Sequence, residues 1–283
     1  MVIPIIISSF FLSIITSFYC QKLFIKKKIF DKINLRSSHN SLATRSGGLS
    51  VFIVLMIISI YCYLNGIEIF NFSLLVPLSI VFLVGIYDDF YGVDFKLKFI
   101  FQIIVAKIII DNGLIIDNFH GVFGIFEINR VLAQLITIFI IVSIINAINF
   151  IDGIDGLLTS ISIIFIISYE FFASVNTDFY FLSLIITTSL IPLYYFNFRK
   201  TKKIFLGDSG SYLLGGIIAI YVLNILSVGY RIKPEFDLNK IIFVISILIY
   251  PIIDIIRIFA LRLLNKKSPF VADNNHIHHN LLK

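Results

Sequence analysis

Apolar residues run almost unbroken along this chain, and the polar positions interrupt them at regular intervals. A membrane-spanning helix needs roughly 20 predominantly apolar residues, within a range of about 17–25. Runs that qualify lie near residues 2–20, 47–63, 71–87, 97–111, 131–149, 157–173, 178–196, 211–228 and 240–263. The fourth is short and carries Lys107. The piece from Asn112 to Asn129 is too polar and glycine-rich to span, and reads as a small external excursion. No internal repeat or low-complexity linker divides the chain. The pattern predicts an all-α, polytopic bundle of about nine helices, with residues 1–283 forming a single transmembrane domain.

Composition agrees with the pattern. Of the 283 residues, 58% are apolar and 14% charged, against about 25% charged in a soluble domain. A net charge of +6 would point to nucleic acid in a soluble protein. Here the basic residues sit in loops between apolar runs, so membrane orientation explains them and no nucleic-acid partner is expected. With the N-terminus outside, inner loops hold 17 Lys and Arg and outer loops 4, a strong positive-inside bias. Met1 to Tyr19 lacks a basic start and a small-residue cleavage site, so it reads as the first span rather than a cleaved signal. The expectation is an outside N-terminus and a cytoplasmic C-terminus. Cys20 and Cys62 fall near opposite membrane faces and suggest no disulfide or metal site.

The same orientation sends the polar motifs to the cytoplasmic face. The most distinctive is Asn146-Ala-Ile-Asn149-Phe-Ile-Asp152-Gly153-Ile-Asp155-Gly156-Leu157, directly after an apolar run. Residues three apart are neighbours on a helix, so this spacing predicts two amides and two carboxylates along one side of a helix end. An Asp at the bilayer centre costs roughly 2.5–3.5 kcal/mol, so such residues carry a function by default. The other loops hold Arg45 with Gly47-Gly48; Gly85 with Asp88-Asp89, followed by Lys98 and Gln102; Asn197 to Ser211, including Gly207-Asp208; and Asp273 with His276, His278 and His279.

Clustered Asp without Cys suits a hard cation. Mg²⁺ takes oxygen ligands, often one or two carboxylates with phosphate and water supplying the rest. Lys and Arg beside it suit phosphate, and the helix start after Gly207 offers backbone N–H groups to the same anion. Singly these signals are weak: Asp88-Asp89 or Asp208 alone reads equally as helix capping. The three closely spaced histidines could instead bind a transition metal, although no Cys accompanies them. Together the loops point to phosphoryl transfer at the membrane surface, from a metal-bound nucleotide to a lipid phosphate. An ion-coupled transporter is the competing class; it would place these groups near mid-membrane, usually in paired repeats.

The motif set resembles the polyprenyl-phosphate N-acetylhexosamine-1-phosphate transferases, from about Asp31 to Leu282. It comprises Asp88-Asp89, Lys98-x-x-x-Gln102, the Asn146 to Leu157 stretch, Phe205-x-Gly207-Asp208-x-Gly210-Ser211, Pro251-x-x-Asp254 and His276-x-His278-His279. The histidine form is similar to the branch that uses UDP-GlcNAc, and less so to the phospho-MurNAc-pentapeptide translocase branch. The chain departs from the family at Ala43-Thr44-Arg45-Ser46, where Pro often precedes the paired glycines, and stops four residues after His279. The resemblance implies transfer of an N-acetylhexosamine-1-phosphate, by default GlcNAc-1-phosphate, from a UDP-N-acetylhexosamine to undecaprenyl phosphate, with release of UMP. This would start a lipid-linked envelope glycan of the O-antigen, common-antigen or teichoic-acid type. It further implies Mg²⁺ (Mn²⁺ as substitute), an active site on the cytoplasmic side of a bacterial inner membrane, and compatibility with a homodimer. Asp208 would bind the metal, with Asp88 or Asp89 holding metal or deprotonating the lipid phosphate, and Lys98 neutralising phosphate. Asn149, Asp152, Asp155 and Asn197 would position nucleotide, metal or sugar. Arg262, His276, His278 and His279 would meet the diphosphate or sugar.

Overall fold

The computed structural model describes residues 1–30, 43–152, 154–227, 229–236 and 238–264. Within them lie α1 (Val2–Lys26), β1 (Ala43–Thr44), α2 (Gly47–Leu64), α3 (Leu75–Tyr91), α4 (Phe95–Asp111), α5 (Arg130–Phe150), α6 (Leu157–Phe172), α7 (Tyr180–Asn197), β2 (Lys203–Ile204), α8 (Gly207–Leu226), α9 (Lys240–Ile247) and α10 (Ile249–Leu264). Each of the nine apolar runs is therefore helical. By length and composition, six helices among the described residues can cross a membrane: α1, α2, α3 with the turn before it, α5, α7 and α8. Helix α6 is apolar but shorter. The chain is a polytopic membrane helical bundle.

The ninth run departs from expectation by breaking in two at Leu248. Pro251 follows in the first turn of α10, where its missing N–H costs least. The excursion after α4 is also more ordered than a plain loop. An antiparallel bridge joins Asn118 to Glu127, and the His120 ring Nε2 lies 2.8 Å from the Leu226 carbonyl at the end of α8.

Helix α8 is the axis of the bundle. Of its residues only Asp208 and Asn224 are not buried, and α2, α3, α5, α6 and α9 all pack on it. In a membrane bundle small residues allow such close approach. A Cβ on Gly48 would lie 2.2 Å from the Gly210 nitrogen, and one on Gly85 would lie 2.5 Å from the Asp208 carbonyl oxygen. Backbone thus touches backbone where α2 and α3 meet the first turns of α8.

A two-strand parallel sheet closes this end. Ala43 pairs with Lys203 and Thr44 with Ile204. The pairing continues as Phe205 N–H donates to the Thr44 carbonyl (2.8 Å), and Gly47 and Gly48 N–H groups donate to Phe205 and Leu206 carbonyls (2.9 Å each). The loop before α2 and the loop before α8 are thereby locked together. Gln21 near the end of α1 donates to the Lys202 carbonyl at 2.6 Å and joins the same layer.

Candidate active site

The chain direction of each helix decides what gathers around the start of α8. Helices α3, α5 and α7 end there, whereas α2, α4 and α6 begin there. Motifs far apart in sequence therefore meet at one end of the bundle.

Asp208 stands in the first turn of α8, with its side chain 28% exposed. Gly207 before it adopts φ +72°, and a Cβ there would press within 2.9 Å of both Asp89 carboxylate oxygens. Only glycine suits that conformation and that gap. Asn149, near the end of α5, donates through Nδ2 to Asp208 Oδ1 at 2.7 Å and lies equally close to Ser211 Oγ.

The adjacent acids of α3 behave differently. Asp88 is buried, faces the Asp208 carboxylate, accepts the Val93 N–H at 2.7 Å and pairs with Lys98 at the start of α4. Asp89 has a fully buried side chain. Its two oxygens accept the N–H groups of Asp208 and Ser209, each at 2.9 Å. Asp89 thus caps α8 from another helix, satisfying two donors that a helix start leaves open. Asp88, Asp89 and Asp208, the expected candidates for a metal, thus meet at one end of the bundle, with Asp89 accepting two backbone amides; among the described residues no group of three acids, histidines or cysteines is placed to hold a metal ion.

Arg45, in the loop between β1 and α2, reaches between the acids. Its Nη1 lies 3.6 Å from Asp89 Oδ1 and 3.7 Å from Asp208 Oδ2. In the sequence Arg45 reads only as part of an inner loop. Its position beside Gly47-Gly48, where the chain departs from the family pattern, was the available signal. Among the described residues, Arg45 and Lys98 face these three carboxylates. The all-oxygen donor set fits a divalent cation held by one or two carboxylates, Asp208 first and Asp88 second.

The other candidates separate. Asn146, Asn149, Asp152 and Asp155 do not continue along one helix side, because α5 stops at Phe150 and a turn follows. Asn146 leaves the acids altogether and pairs with Gln102, its Nδ2 donating to Oε1 at 2.7 Å. Asp155 pairs with Lys203 at β2. Its Oδ1 is buried without a hydrogen bond among the described residues. Asn197 is buried and donates to the Ile204 carbonyl at 2.9 Å, which ties the end of α7 to β2. Asp152 is half-buried in the turn between α5 and α6. His276, His278 and His279 lie outside the described residues. Arg262 falls within α10, but its side chain lies outside them.

Comparison with known proteins shows the family of this chain. The sequence profile of glycosyl transferase family 4 matches residues 71–226, which carry Asp88, Asp89, Lys98, Asn149 and Asp208. A Bacillus subtilis (strain 168) protein named as a probable undecaprenyl-phosphate N-acetylglucosaminyl 1-phosphate transferase is 33% identical over 93% of this chain and 72% of its own length. An undecaprenyl-phosphate alpha-N-acetylglucosaminyl 1-phosphate transferase of Thermotoga maritima is 30% identical over 96% of this chain and 78% of its length. One from Salmonella typhi is 27% identical over 98% and 76%. The profile covers more than half of the chain and two of these relatives reach 30% identity along most of their length, so the chain belongs to glycosyl transferase family 4.

Proposed function

We propose that this protein transfers GlcNAc-1-phosphate from UDP-GlcNAc to undecaprenyl phosphate on the cytoplasmic side of a bacterial inner membrane. The products are undecaprenyl-diphospho-GlcNAc and UMP, and the lipid product starts an envelope glycan. The observation that carries the reading is the Asp88–Asp208–Arg45–Lys98 cluster at one end of an apolar bundle, in a chain whose relatives are named for this reaction. The positive-inside bias supports the cytoplasmic assignment of that end.

A phosphate oxygen of the lipid attacks the sugar-bearing phosphorus of the donor, and the bond to the UMP phosphate breaks. The protein contributes positioning and charge placement, which dominate phosphoryl transfer. Mg²⁺, when bound, would supply positive charge that neutralises the diphosphate. Asp208 would hold it, oriented by Asn149 and by the Asp89 cap on its own backbone. Asp88, facing Asp208 and tethered by Lys98, would orient or deprotonate the acceptor phosphate. Arg45 adds a guanidinium suited to phosphate oxygens. Asp155 with Lys203, and Asp152 in the turn between α5 and α6, would border the donor. The transporter reading expects polar groups at mid-depth; here they gather at one end.

The test is UMP release by the purified protein with undecaprenyl phosphate, Mg²⁺ and a panel of UDP-N-acetylhexosamines. Release that requires lipid phosphate, metal and UDP-GlcNAc is expected. Release with a different sugar alone would replace the donor, and no release from folded protein would overturn the proposal.

A further inference from the structure

On the flank of the bundle, away from the acidic cluster, α1 and α7 enclose an open groove of about 540 Å³. None of the helices carrying Asp88, Asp89, Lys98, Asn149 or Asp208 lines it. Its walls are Phe10, Ile14, Phe18, Pro192, Tyr195 and Phe196, with Ile15 and Tyr19 along the α1 side. From Phe10 to Tyr19 the groove follows α1 for about 14 Å at 1.5 Å per residue. That is about half of a ~30 Å hydrocarbon core, or one leaflet.

One end of the groove is cationic. Arg199 lies at its mouth, just past the end of α7, on the same side of the membrane as Asp208. Its guanidinium carbon is 4.4 Å from the Tyr195 ring centre and 4.3 Å from that of Phe196. Contact with the two rings, which stand at 75° to each other, holds the guanidinium at the groove end. The N–H fork lies in its plane, a geometry that matches phosphate. Exposed Lys22 follows Phe18 by one helical turn, and exposed Lys26 follows Lys22 by another. The apolar channel therefore ends in a basic rim at head-group level.

We propose that this groove binds an anionic glycerophospholipid of the surrounding leaflet, one acyl chain lying along the aromatic walls and the phosphate meeting Arg199 and Lys22. Charge complementarity selects this occupant. A second copy of the chain docked symmetrically over the groove would bring the same basic rim toward itself, since a two-fold interface pairs each patch with its own copy. The bound lipid would brace α1 against α7, whose contact holds Gln21 on the loop leading to β2 and Asp208.

The experiment is native mass spectrometry of the full chain released from vesicles of phosphatidylcholine and phosphatidylglycerol in equal parts. Retained phosphatidylglycerol should exceed phosphatidylcholine by roughly fivefold, the effect of one basic side chain at an anionic surface. Arg199→Gln should lower that ratio, and Arg199→Gln with Lys22→Gln should bring it close to one. Ile15→Trp, at an exposed wall position, should lower phosphatidylglycerol retention by filling the channel. Equal retention of the two lipids by the unmodified protein would overturn the proposal, as would an unchanged ratio in Arg199→Gln. Efficient disulfide cross-linking of Tyr19→Cys between two copies would give the groove to a second chain and would also overturn it. These readouts do not involve UMP release, so the lipid proposal and the catalytic one fail separately.

Discussion

The two ends of α8 handle polar groups in opposite ways. At the far end, Tyr169 OH donates to Asn224 Oδ1 at 2.7 Å and Tyr230 OH donates to the Tyr169 carbonyl at 2.7 Å. Ser183 and Tyr221 hydroxyls are 2.9 Å apart, and the Thr177 hydroxyl lies 2.9 Å from both Glu170 oxygens. The rings of Tyr169 and Tyr221 stack at 4.5 Å between centres. One acid, Glu170, is met by neutral hydroxyls. At the near end, Asp88, Asp89 and Asp208 crowd together with two cations, and Asp208 stays partly open to water. A polar layer hydrogen-bonded among neutral hydroxyls specifies packing, even though Glu170, Thr177 and Asn224 are only half-buried here. A like-charged cluster left partly open requires an external cation or an anion–cation pair. An ionisable residue inside a membrane bundle is a functional candidate by default, and this contrast separates Glu170 from Asp208.

The largest expected effect falls on Asp208. Asp208→Asn should lower metal-dependent UMP release by at least roughly a hundredfold, as removal of one preorganised electrostatic group does, while the protein still elutes as a folded species from detergent. Normal turnover would move the metal elsewhere. The next effects divide Asp88 from Asp89. Asp88→Asn, which releases Lys98, should cost roughly tenfold or more in turnover, well beyond the fall in thermal midpoint that losing the buried Lys98 pair brings. Asp89→Asn replaces one accepting oxygen by a donor opposite a backbone N–H. It should therefore lower the midpoint by the equivalent of about 1 kcal/mol, the value of a helix cap. If Asp89→Asn abolishes turnover without moving the midpoint, Asp89 acts directly in the chemistry and the capping account fails. Gly85→Ala tests the same junction from α3. Its Cβ would lie 2.5 Å from the Asp208 carbonyl oxygen, so a destabilisation of about 1–3 kcal/mol is expected from overpacking. Equal stability of the variant would show that α3 can withdraw from α8 at little cost.

The contrast was only half legible in the sequence. The nine apolar runs located the ten α-helices of the described residues, α9 and α10 sharing one run, because spanning length and hydropathy are local properties. The gathering of Asp88, Lys98, Asn149 and Asp208 at one end followed from counting crossings. The use each residue makes of its position did not follow. Asp89 differs from Asp88 only in the direction its side chain leaves α3, and a repeated Asp carries no such information. The β1–β2 pairing was silent, since two residues per strand give no alternation to read. Arg45 was hidden for the same reason: its place between Asp89 and Asp208 depends on the pairing of the loops before α2 and α8. Spacing misled at Asn146 to Asp155. A period of three suits a helix side, but α5 ends at Phe150 and sends these residues to Gln102, Asp208 and Lys203.

The smallest expected effect is at the far end, and it is the sharpest check on the comparison. Glu170→Gln keeps the side chain's size and one carbonyl acceptor but replaces the other oxygen with a donor facing Thr177 or Ser183. Hydroxyls can rotate to accept, so most of the layer survives. A loss of about 1 kcal/mol in stability is expected, in line with one hydrogen bond exchanged for a poorer one. UMP release should stay within about twofold, because the whole length of α8 separates this layer from Asp208. A pronounced loss of turnover with little change in thermal midpoint would mean that the closed layer is coupled to the open one. The two ends of α8 would then be parts of a single device.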